Sequence, residues 1–327
     1  MSNQAGHDQV LEAVAALRRG EVIGLPTETV YGLAADASNI EAVARIFALK
    51  GRPADHPLIV HIADADALPR WTSGRSEPAE QLARAFWPGP LTMIMPRHPS
   101  VSDAVTGGQD TVGLRCPAHP LALQVLRAFG GGLAAPSANR FGRISPTTAQ
   151  HVREEFGTSV PLILDGGECQ VGIESTIIDL SSATARILRP GKITHAQIQA
   201  IIGPVAQDSN EHSPRASGTL EAHYAPRTPM LMLARGPLQK EAAEQHAFGK
   251  RIAVLAIDSL PAGCLGLVLP SEADAFAHGL YAALRQLDAG DEQLLLVERP
   301  PDGASWIAVH DRLRRAAAGA GPDDDSP

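Results

Sequence analysis

VIGLPTETVYGL, residues 22–33, combines a short apolar run with a polar loop, an order that recurs along the N-terminal half of the chain. Its first four residues are apolar and typical of a short buried strand, which Pro26 ends because proline has no N–H to donate to a strand ladder. The loop behind the strand, TET (residues 27–29), carries two hydroxyls and a carboxylate. Ligand-binding groups of α/β folds lie at such strand ends. The stretch therefore indicates an α/β protein with a polar site behind its strands.

Apolar runs and helical patterns continue on both sides of this stretch. A helix is predicted from the cap Asp8 to Gly20, and another over Ile40–Leu49 with Asn39 as its cap. Further strands are predicted at Leu58–Ile62, Leu91–Met95, Val112–Leu114, Leu133–Ala135, Leu162–Leu164 and Ile177–Leu180. Further helices are predicted at Gln81–Phe86, Leu121–Phe129 and Thr148–Phe156. Strands mixed with helices imply a sheet with helical cover, and parallel, mixed and antiparallel pairings all remain open.

The pattern changes after residue 205. Residues 206–229 are polar and rich in Pro, Gly and Ser, which predicts a linker, and long segments of this kind are often functional lids. Over residues 230–318 strands and helices alternate, which favours a small parallel sheet of βαβ units. These elements are predicted at Met230–Leu233, Leu238–Phe248, Ile252–Ala256, Leu265–Leu269, Glu272–Leu287, Leu294–Val297 and Trp306–Ala318. Residues 319–327 form an acidic tail that we expect to be disordered.

Composition excludes several classes of protein. The chain has 327 residues, of which 44% are hydrophobic and 20% are charged, so it is not intrinsically disordered. Its net charge of −8 excludes a general polyanion-binding surface, and any contact with nucleic acid must be local. No apolar run approaches the ~20 residues of a membrane helix, and the N-terminus lacks a secretory signal pattern. Three widely spaced cysteines disfavour a disulfide framework or a zinc site, so we expect a soluble cytoplasmic protein.

Stretches rich in Pro, Gly, hydroxyls and cations follow the predicted strands or precede the helices. Lys50 and Arg52, two residues apart, project to the same side of an extended segment. Arg115 and Arg189 offer forked donors for phosphate or carboxylate. The combination suits a phosphorylated substrate, although the chain contains neither a GxxxxGK[ST] loop nor a GxGxxG motif. The stretches are PTETVYGL (26–33), KGRP (50–53), HPLIVHI (56–62), FWPGPLT (86–92), TVGLR (111–115), APSAN (135–139), SPT (145–147), GIEST (172–176) and LRPG (188–191).

Taken alone, each stretch has a plainer explanation. KGRP would be a solvated helix end, and TET or SPT would be the start of a helix. Arg115 would pair with a surface acid. His56 and His61 are disfavoured as metal ligands, because no cysteine or paired carboxylate motif accompanies them. The case for a functional site therefore depends on the whole combination.

In their order along the chain, these stretches resemble the YrdC/Sua5 family. The segment ending in HYAP (residues 223–226) and the additional α/β domain resemble the two-domain Sua5 form. The resemblance implies an α/β architecture, with a YrdC-like twisted sheet around a central concave cavity over residues 1–205. It further implies a linker or lid over residues 206–229 and a smaller Rossmann-like α/β domain over residues 230–318.

The same resemblance implies an activity. Members of this kind are L-threonylcarbamoyladenylate synthases, nucleotidyltransferases that use L-threonine, bicarbonate or CO2, and ATP with Mg²⁺. They release diphosphate and make threonylcarbamoyl-AMP, the donor for t6A at position 37 of tRNAs that read ANN codons. We therefore expect the product to pass to the t6A transferase machinery, and a weak contact with tRNA stays open. No membrane partner is expected.

Site residues are carried over by matching motifs. The threonine site falls on Thr29, His61, Arg115, Ala135 and Ser175, with Arg115 expected to hold the carboxylate as a fork. The nucleotide site falls on Lys50, Arg52, His56, Thr111, Ser137, Asn139, Ser145, Arg189 and Tyr224. Lys50 and Asn139 are expected beside the phosphates or Mg²⁺, and no residue is expected to act as a covalent nucleophile. His56 stands where many relatives have Asn, which adds pH dependence to that contact.

Three rival functions remain. An RNA-binding module would use the same cations without catalysis, but residues 1–205 are nearly charge-balanced and carry no aromatic RNA-binding motif. A related enzyme that uses carbamoyl phosphate would need zinc-finger and acylphosphatase-like regions, which this sequence lacks. A structural scaffold is disfavoured by the density of polar motifs at strand ends.

Overall fold

Two separate sheets organise the chain in the computed structural model, which describes residues 2–74, 76–207 and 213–321. The first unit holds residues up to 140 together with 146–170 and 174–219. The second unit holds the short segments 141–145 and 171–173 and the chain from residue 220 onward. Within the described ranges, no helix combines the length and the apolar character that crossing a membrane requires.

The first unit contains seven helices and eight strands among its described residues. In chain order they are α1 (Ser2–Arg18), β1 (Ile23–Leu25), β2 (Gly32–Asp36), α2 (Ile40–Lys50), β3 (Ile59–His61), α3 (Glu77–Phe86), β4 (Leu91–Pro96), α4 (Asp103–Thr106), β5 (Thr111–Arg115), α5 (Pro120–Phe129), β6 (Leu133–Ala134), α6 (Ala149–Phe156), β7 (Thr176–Asp179), β8 (Arg186–Arg189) and α7 (His195–Ile202). Short 3₁₀ turns lie at Ala65–Arg70 and Gly157–Ser159.

The eight strands form one mixed sheet in the order β1-β2-β6-β3-β5-β4-β7-β8. The β3–β5 and β4–β7 pairs are parallel and the other neighbours are antiparallel, which settles the pairing that the sequence leaves open. In the parallel β3–β5 pair, His61 lies opposite Arg115. Because side chains alternate between the faces of a strand, these two register partners project to the same face of the sheet.

Helix α2 shows how local sequence positions a candidate site residue. Asn39 caps the helix, since its side chain accepts from the backbone N–H groups of residues 41 and 42, and this confirms the predicted cap. Gly51 ends the helix in the left-handed region at φ 61°, which glycine adopts without strain. The buried Ile46 and Phe47 hold α2 against the core, and burial of each such side chain contributes about 1.5–3 kcal/mol. The last turn of the helix therefore buries Lys50 as well.

Several predicted elements of the first unit need correction. Asp8 lies inside α1 and is not its cap, because the helix already begins at Ser2. Leu162–Leu164 is not a strand but a single bridge to Gly24, whose missing side chain leaves room for Ile163. Strand β2 was not predicted because GLAAD has little β propensity, and β8 because charges flank its apolar pair. Helices α4 and α7 were also missed.

The second unit contains a four-stranded parallel sheet. Its elements are β9 (Met230–Leu233), α8 (Arg235–Ala247), β10 (Ile252–Ile257), β11 (Gly266–Leu269), α9 (Ala273–Asp288), β12 (Leu294–Glu298) and α10 (Ile307–Gly319), with a 3₁₀ turn at Ala304–Trp306. The strand order is β11-β10-β12-β9, and every neighbouring pair is parallel. All seven predicted elements after residue 229 are confirmed, with small shifts at their ends. Of the predicted linker and tail, residues 208–212 and 322–327 lie outside the described residues.

Candidate functional site

Arg115 and Glu28 form a buried ion pair at the end of β5. The Nη2 atom of Arg115 donates to Oε1 of Glu28 at 2.7 Å, and the two residues are 4% and 5% exposed. The other carboxylate oxygen of Glu28 accepts from the backbone N–H of Ala118 at 3.0 Å. Arg115 therefore does pair with an acid, but the acid is a buried one from the TET loop and not a surface residue.

Two buried polar atoms beside this pair lack a hydrogen-bond partner within the described part of the chain. They are Nε of Arg115 and Nδ1 of His61, whose side chains share one face of the sheet. Burial, and next the positive charge of Arg115, lower the pKa of His61 from 6.5 to about 3. His61 is therefore neutral at physiological pH. Buried polar groups are almost always paired in native proteins. The corner formed by Arg115, Glu28 and His61 is therefore suited to a polar ligand.

Ser175, which directly precedes β7, and Arg189, on β8, are hydrogen-bonded to each other. The hydroxyl of Ser175 lies 2.8 Å from the hydroxyl of Thr92 on β4. Arg189, the last residue of β8, donates through Nη2 to the carbonyl oxygen of Ser175 at 2.9 Å and to its hydroxyl at 3.1 Å. A residue assigned to the threonine site and one assigned to the nucleotide site are thus in direct contact.

Arg52 and Arg189 meet at Ser217, in the part of the predicted linker that belongs to the first unit. Nη2 of Arg52 donates to the Ser217 hydroxyl at 3.2 Å and to the carbonyl oxygen of Pro57 at 2.8 Å. Nη1 of Arg189 donates to the carbonyl oxygen of Ser217 at 2.8 Å. Ser217 therefore joins two residues assigned to the nucleotide site, and Arg189 extends the connection to Ser175.

Residues 215–217 cover the start of β5. The cavity that remains between them and the side chains of Thr92 and Thr111 has a volume of about 20 Å³, which is room for about one water molecule. Arg215 fastens the segment, because its guanidinium donates to the Asp55 carboxylate at 3.1 Å and to the carbonyl oxygen of Gly107 at 2.8 Å. Residues 215–217 thus line the same small cavity as Thr111.

The side chain of Lys50 contacts the backbone of Ser137 and Asn139. The buried ammonium of Lys50 donates to the carbonyl oxygens of Ser137 at 2.6 Å and of Asn139 at 2.5 Å. Burial, and then the neighbouring charge of Arg52, hold the pKa of Lys50 well below its usual value. KGRP is therefore the end of a helix, but its lysine is buried and not solvated as the plainer explanation required.

Three further assigned positions of the first unit are Thr29, Ala135 and His56. The hydroxyl of Thr29 lies 2.9 Å from that of Thr27 in the TET loop. Ala135 is buried, and its N–H donates to the carbonyl oxygen of Ile59 on β3 at 3.0 Å. His56 is only partly buried, and burial followed by the charge of Arg52 lowers its pKa.

Ser145 and Tyr224 belong to the second unit. The carbonyl oxygen of Ser145 accepts from Arg285 on α9 at 3.4 Å. Tyr224 is fully buried and adopts φ 63°, a backbone conformation that is uncommon for residues other than glycine. Its ring stacks on that of Tyr281, with 5.8 Å between centroids, and Arg312 lies over its face.

The plainer explanation of TET and SPT, that each is the start of a helix, is wrong. TET caps a turn, because the hydroxyl of Thr27 accepts from the N–H groups of residues 29 and 30, and the chain then continues into β2. SPT precedes α6, but the helix is capped by Thr148, whose hydroxyl accepts from the N–H of His151.

Sequence reasoning missed three residues of this site: Glu28, Thr92 and Ser217. Glu28 and Thr92 stand inside the quoted PTETVYGL and FWPGPLT stretches, so the signal for both residues was the motif that contains them. Ser217 lies in a polar segment with no periodic pattern, so the sequence offers no signal for it. The described residues contain no group of three or more His, Cys, Asp or Glu side chains placed to hold a metal ion.

The buried His61 makes the stability of the protein depend on pH. Between pH 6.5 and about 3 the unfolded chain binds a proton at His61 that the folded chain does not, so stability falls as the pH is lowered below 6.5. At 1.36 kcal/mol per pH unit, we expect wild type to lose about 1–2 kcal/mol relative to His61→Gln between pH 7.5 and pH 5. Urea unfolding of both proteins at the two pH values measures this difference. Parallel pH profiles for wild type and variant would contradict the assignment of a neutral His61.

Two family models match the chain. Residues 15–191 match Sua5_yciO_yrdC, described as "Telomere recombination". Residues 193–318 match Sua5_C, described as "Threonylcarbamoyl-AMP synthase, C-terminal domain". Together the two matches extend over nearly all of the described residues.

Full-length relatives and a solved structure are similar to the chain. It is 40% identical to the threonylcarbamoyl-AMP synthase of Bacillus subtilis, over 95% of this chain and 93% of the relative. It is 38% identical to the protein of the same name from Pyrococcus abyssi, over 93% of each. The crystal structure of P. abyssi Sua5 complexed with L-threonine matches with a TM-score of 0.90 at 37% identity, covering 96% of this chain and 95% of that one. This likeness confirms the expected fold class, and the chain belongs to the Sua5/YciO/YrdC family.

Proposed function

We propose that this protein is an L-threonylcarbamoyladenylate synthase, an enzyme of the nucleotidyltransferase type. The observation that carries the proposal is the chain of hydrogen bonds from Arg52 through Ser217 and Arg189 to Ser175. These contacts support the proposal because they join residues that we assign to the polyphosphate with one that we assign to the amino acid, within one unit. The names of the relatives, and the L-threonine complex of P. abyssi Sua5, support the same reaction.

The amino acid would bind at the corner formed by Arg115 and His61. The guanidinium of Arg115 would donate to the carboxylate of L-threonine, a charge-assisted pair that is stronger than one between neutral groups. Neutral His61 adds no second positive charge there, so it can orient the substrate through a single hydrogen bond. Thr29, Ala135 and Ser175 complete the site in this proposal.

The chemistry needs no covalent intermediate on the protein. The amine of L-threonine attacks CO2, which forms a C–N bond and releases a proton, to give N-carboxythreonine. A carboxylate oxygen of that carbamate then attacks the α-phosphorus of ATP in line. The bond from this phosphorus to the bridging oxygen breaks, and diphosphate leaves with the electron pair. Positioning and charge neutralisation supply the catalysis.

The polyphosphate would lie against Lys50, Arg52 and Arg189. A phosphate beside Lys50 favours the charged ammonium and opposes the effect of burial on its pKa. Mg²⁺ would enter with ATP and neutralise phosphate charge, and the side-chain amide of the buried Asn139 offers an oxygen of the kind this ion prefers. We assign His56, Thr111, Ser137, Ser145 and Tyr224 to the same nucleotide on the grounds of the family resemblance.

The product is a reactive mixed anhydride, so a prompt acceptor is required. We propose that it passes to the t6A transferase machinery in the cytoplasm, for modification of position 37 in ANN-decoding tRNAs. The net charge of −8 supports at most a weak contact between this chain and tRNA.

Mass spectrometry of the reaction products tests the proposed function. The purified protein is incubated with MgATP, L-threonine and bicarbonate, and the reactants are omitted in turn. We expect threonylcarbamoyl-AMP and diphosphate only in the complete mixture. Diphosphate release that is independent of L-threonine, or consumption of carbamoyl phosphate in place of bicarbonate, would contradict the proposal.

A further inference from the structure

We infer that Glu28 is a positioning residue that fixes the guanidinium of Arg115 for the carboxylate of the amino-acid substrate. The inference rests on the proposed function and assigns to Glu28 a role in substrate recognition. Both oxygens of the Glu28 carboxylate are engaged, one by Nη2 of Arg115 at 2.7 Å and one by the N–H of Ala118 at 3.0 Å. Because the second bond ties Glu28 to the backbone just after β5, the carboxylate is a fixed anchor.

This anchor determines which part of Arg115 is left for a ligand. Nη2 points at Glu28, whereas Nε is buried and has no hydrogen-bond partner within the described residues. The unpartnered Nδ1 of His61 belongs to the side chain opposite Arg115 on the neighbouring strand. Glu28 thus fixes the plane of the guanidinium through Nη2, and the two atoms without a partner belong to side chains on the same face of the sheet.

Glu28 also removes one cost of binding and one cost of folding. An unrestrained arginine side chain would lose rotamer entropy when it closes on a carboxylate, whereas the pair with Glu28 orders Arg115 before the substrate binds. A guanidinium buried without a counter-charge would destabilise the folded protein, and Glu28 supplies that charge. The zwitterion of L-threonine has no net charge, so its entry leaves the charge balance of the corner unchanged.

The chain provides a matched control in its second unit. Glu298, at the end of β12, is also buried and also accepts from one arginine and one backbone N–H. Its partners are Nη1 of Arg235 and the N–H of Ile257, both at 2.9 Å. Glu298→Gln therefore makes the same chemical change as Glu28→Gln in the other unit.

The test is isothermal titration of L-threonine into the full-length protein, together with the KM for ATP. We expect Glu28→Gln to raise the Kd for L-threonine about tenfold and to leave the KM for ATP within about twofold, since the loss of one charge-assisted hydrogen bond is of this size. Glu298→Gln should leave both values unchanged. The effect of Glu28→Gln should largely disappear in an Arg115→Lys background, because Glu28 acts through Arg115.

Glu28→Asp provides a second variant if the glutamine protein folds poorly. It keeps the charge, but its shorter side chain cannot span both partners, so the Kd for L-threonine should again rise with the KM for ATP unchanged. An unaltered Kd in either folded variant, or a parallel rise of both constants, would overturn the positioning role. Failure of the wild-type protein to bind L-threonine would instead overturn the proposed function, and the inference with it.

Discussion

Arg52→Ala should lower the rate of diphosphate release at least about 100-fold, the loss typical of removing one donor placed at developing charge. The guanidinium of Arg52 is buried and held by the carbonyl oxygen of Pro57 and by Ser217, so it needs little rearrangement to meet a phosphate. The measurement is the rate of diphosphate release from ATP at saturating L-threonine and bicarbonate.

Arg70→Ala is the control for this variant. Arg70 is an exposed arginine of the same unit that donates to a single backbone carbonyl oxygen, that of Gly130, at 3.1 Å. It has no role in the proposed site, and its loss should leave the rate within about twofold, as for most surface substitutions. Near-normal turnover by Arg52→Ala would refute the assignment of Arg52 to the phosphates.

Arg115→Lys should raise the KM for L-threonine about 10- to 100-fold and leave the KM for ATP nearly unchanged. Lysine keeps the positive charge, so Glu28 is not left as an isolated buried anion, but it loses the planar fork that can hold a carboxylate through two bonds. A hydrogen bond to a charged group contributes about 1.5–3 kcal/mol, which corresponds to the expected range. Initial rates over a series of L-threonine concentrations give this constant.

Arg235→Lys repeats the same replacement in the arginine–glutamate pair of the second unit. It should destabilise that unit slightly without changing the KM for L-threonine. Equal increases of KM for both substrates in Arg115→Lys would show that the arginine supports the fold in general. An unchanged KM for L-threonine would place the amino-acid site elsewhere.

The fold was predictable wherever burial imposes a clear pattern. The second unit alternates apolar strands with amphipathic helices, and all of its seven elements were anticipated. In the first unit, β2 was not predicted because its Gly and Ala residues have low strand propensity. They form a strand because β2 pairs with β1 on one side and β6 on the other. Leu162–Leu164 shows the converse, since an apolar run that finds one partner residue, Gly24, forms only a bridge.

The candidate site was predictable as a set of motifs but not as a set of contacts. Arg115 and Arg189 stood out because cations at strand ends are conspicuous in a sequence, and Lys50 and Arg52 because two cations follow a predicted helix two residues apart. Their partners did not, because the carboxylate of Glu28 meets Arg115 across 87 positions of the chain and Ser217 meets Arg52 across 165. Only the folded sheet brings such distant residues together.

The second unit is built from separate segments of the chain, and this determines whether cleavage can divide the protein into two. Residues 141–145 and 171–173 belong to that unit although they precede the linker, and the N–H of Ala225 donates to the carbonyl oxygen of Gly142 at 2.8 Å. Cleavage of one peptide bond between residues 206 and 219 would therefore not yield two independent proteins. The shorter fragment would remain associated with two short segments of the longer one, residues 141–145 and 171–173, and separating the fragments would leave those segments without their packing partners.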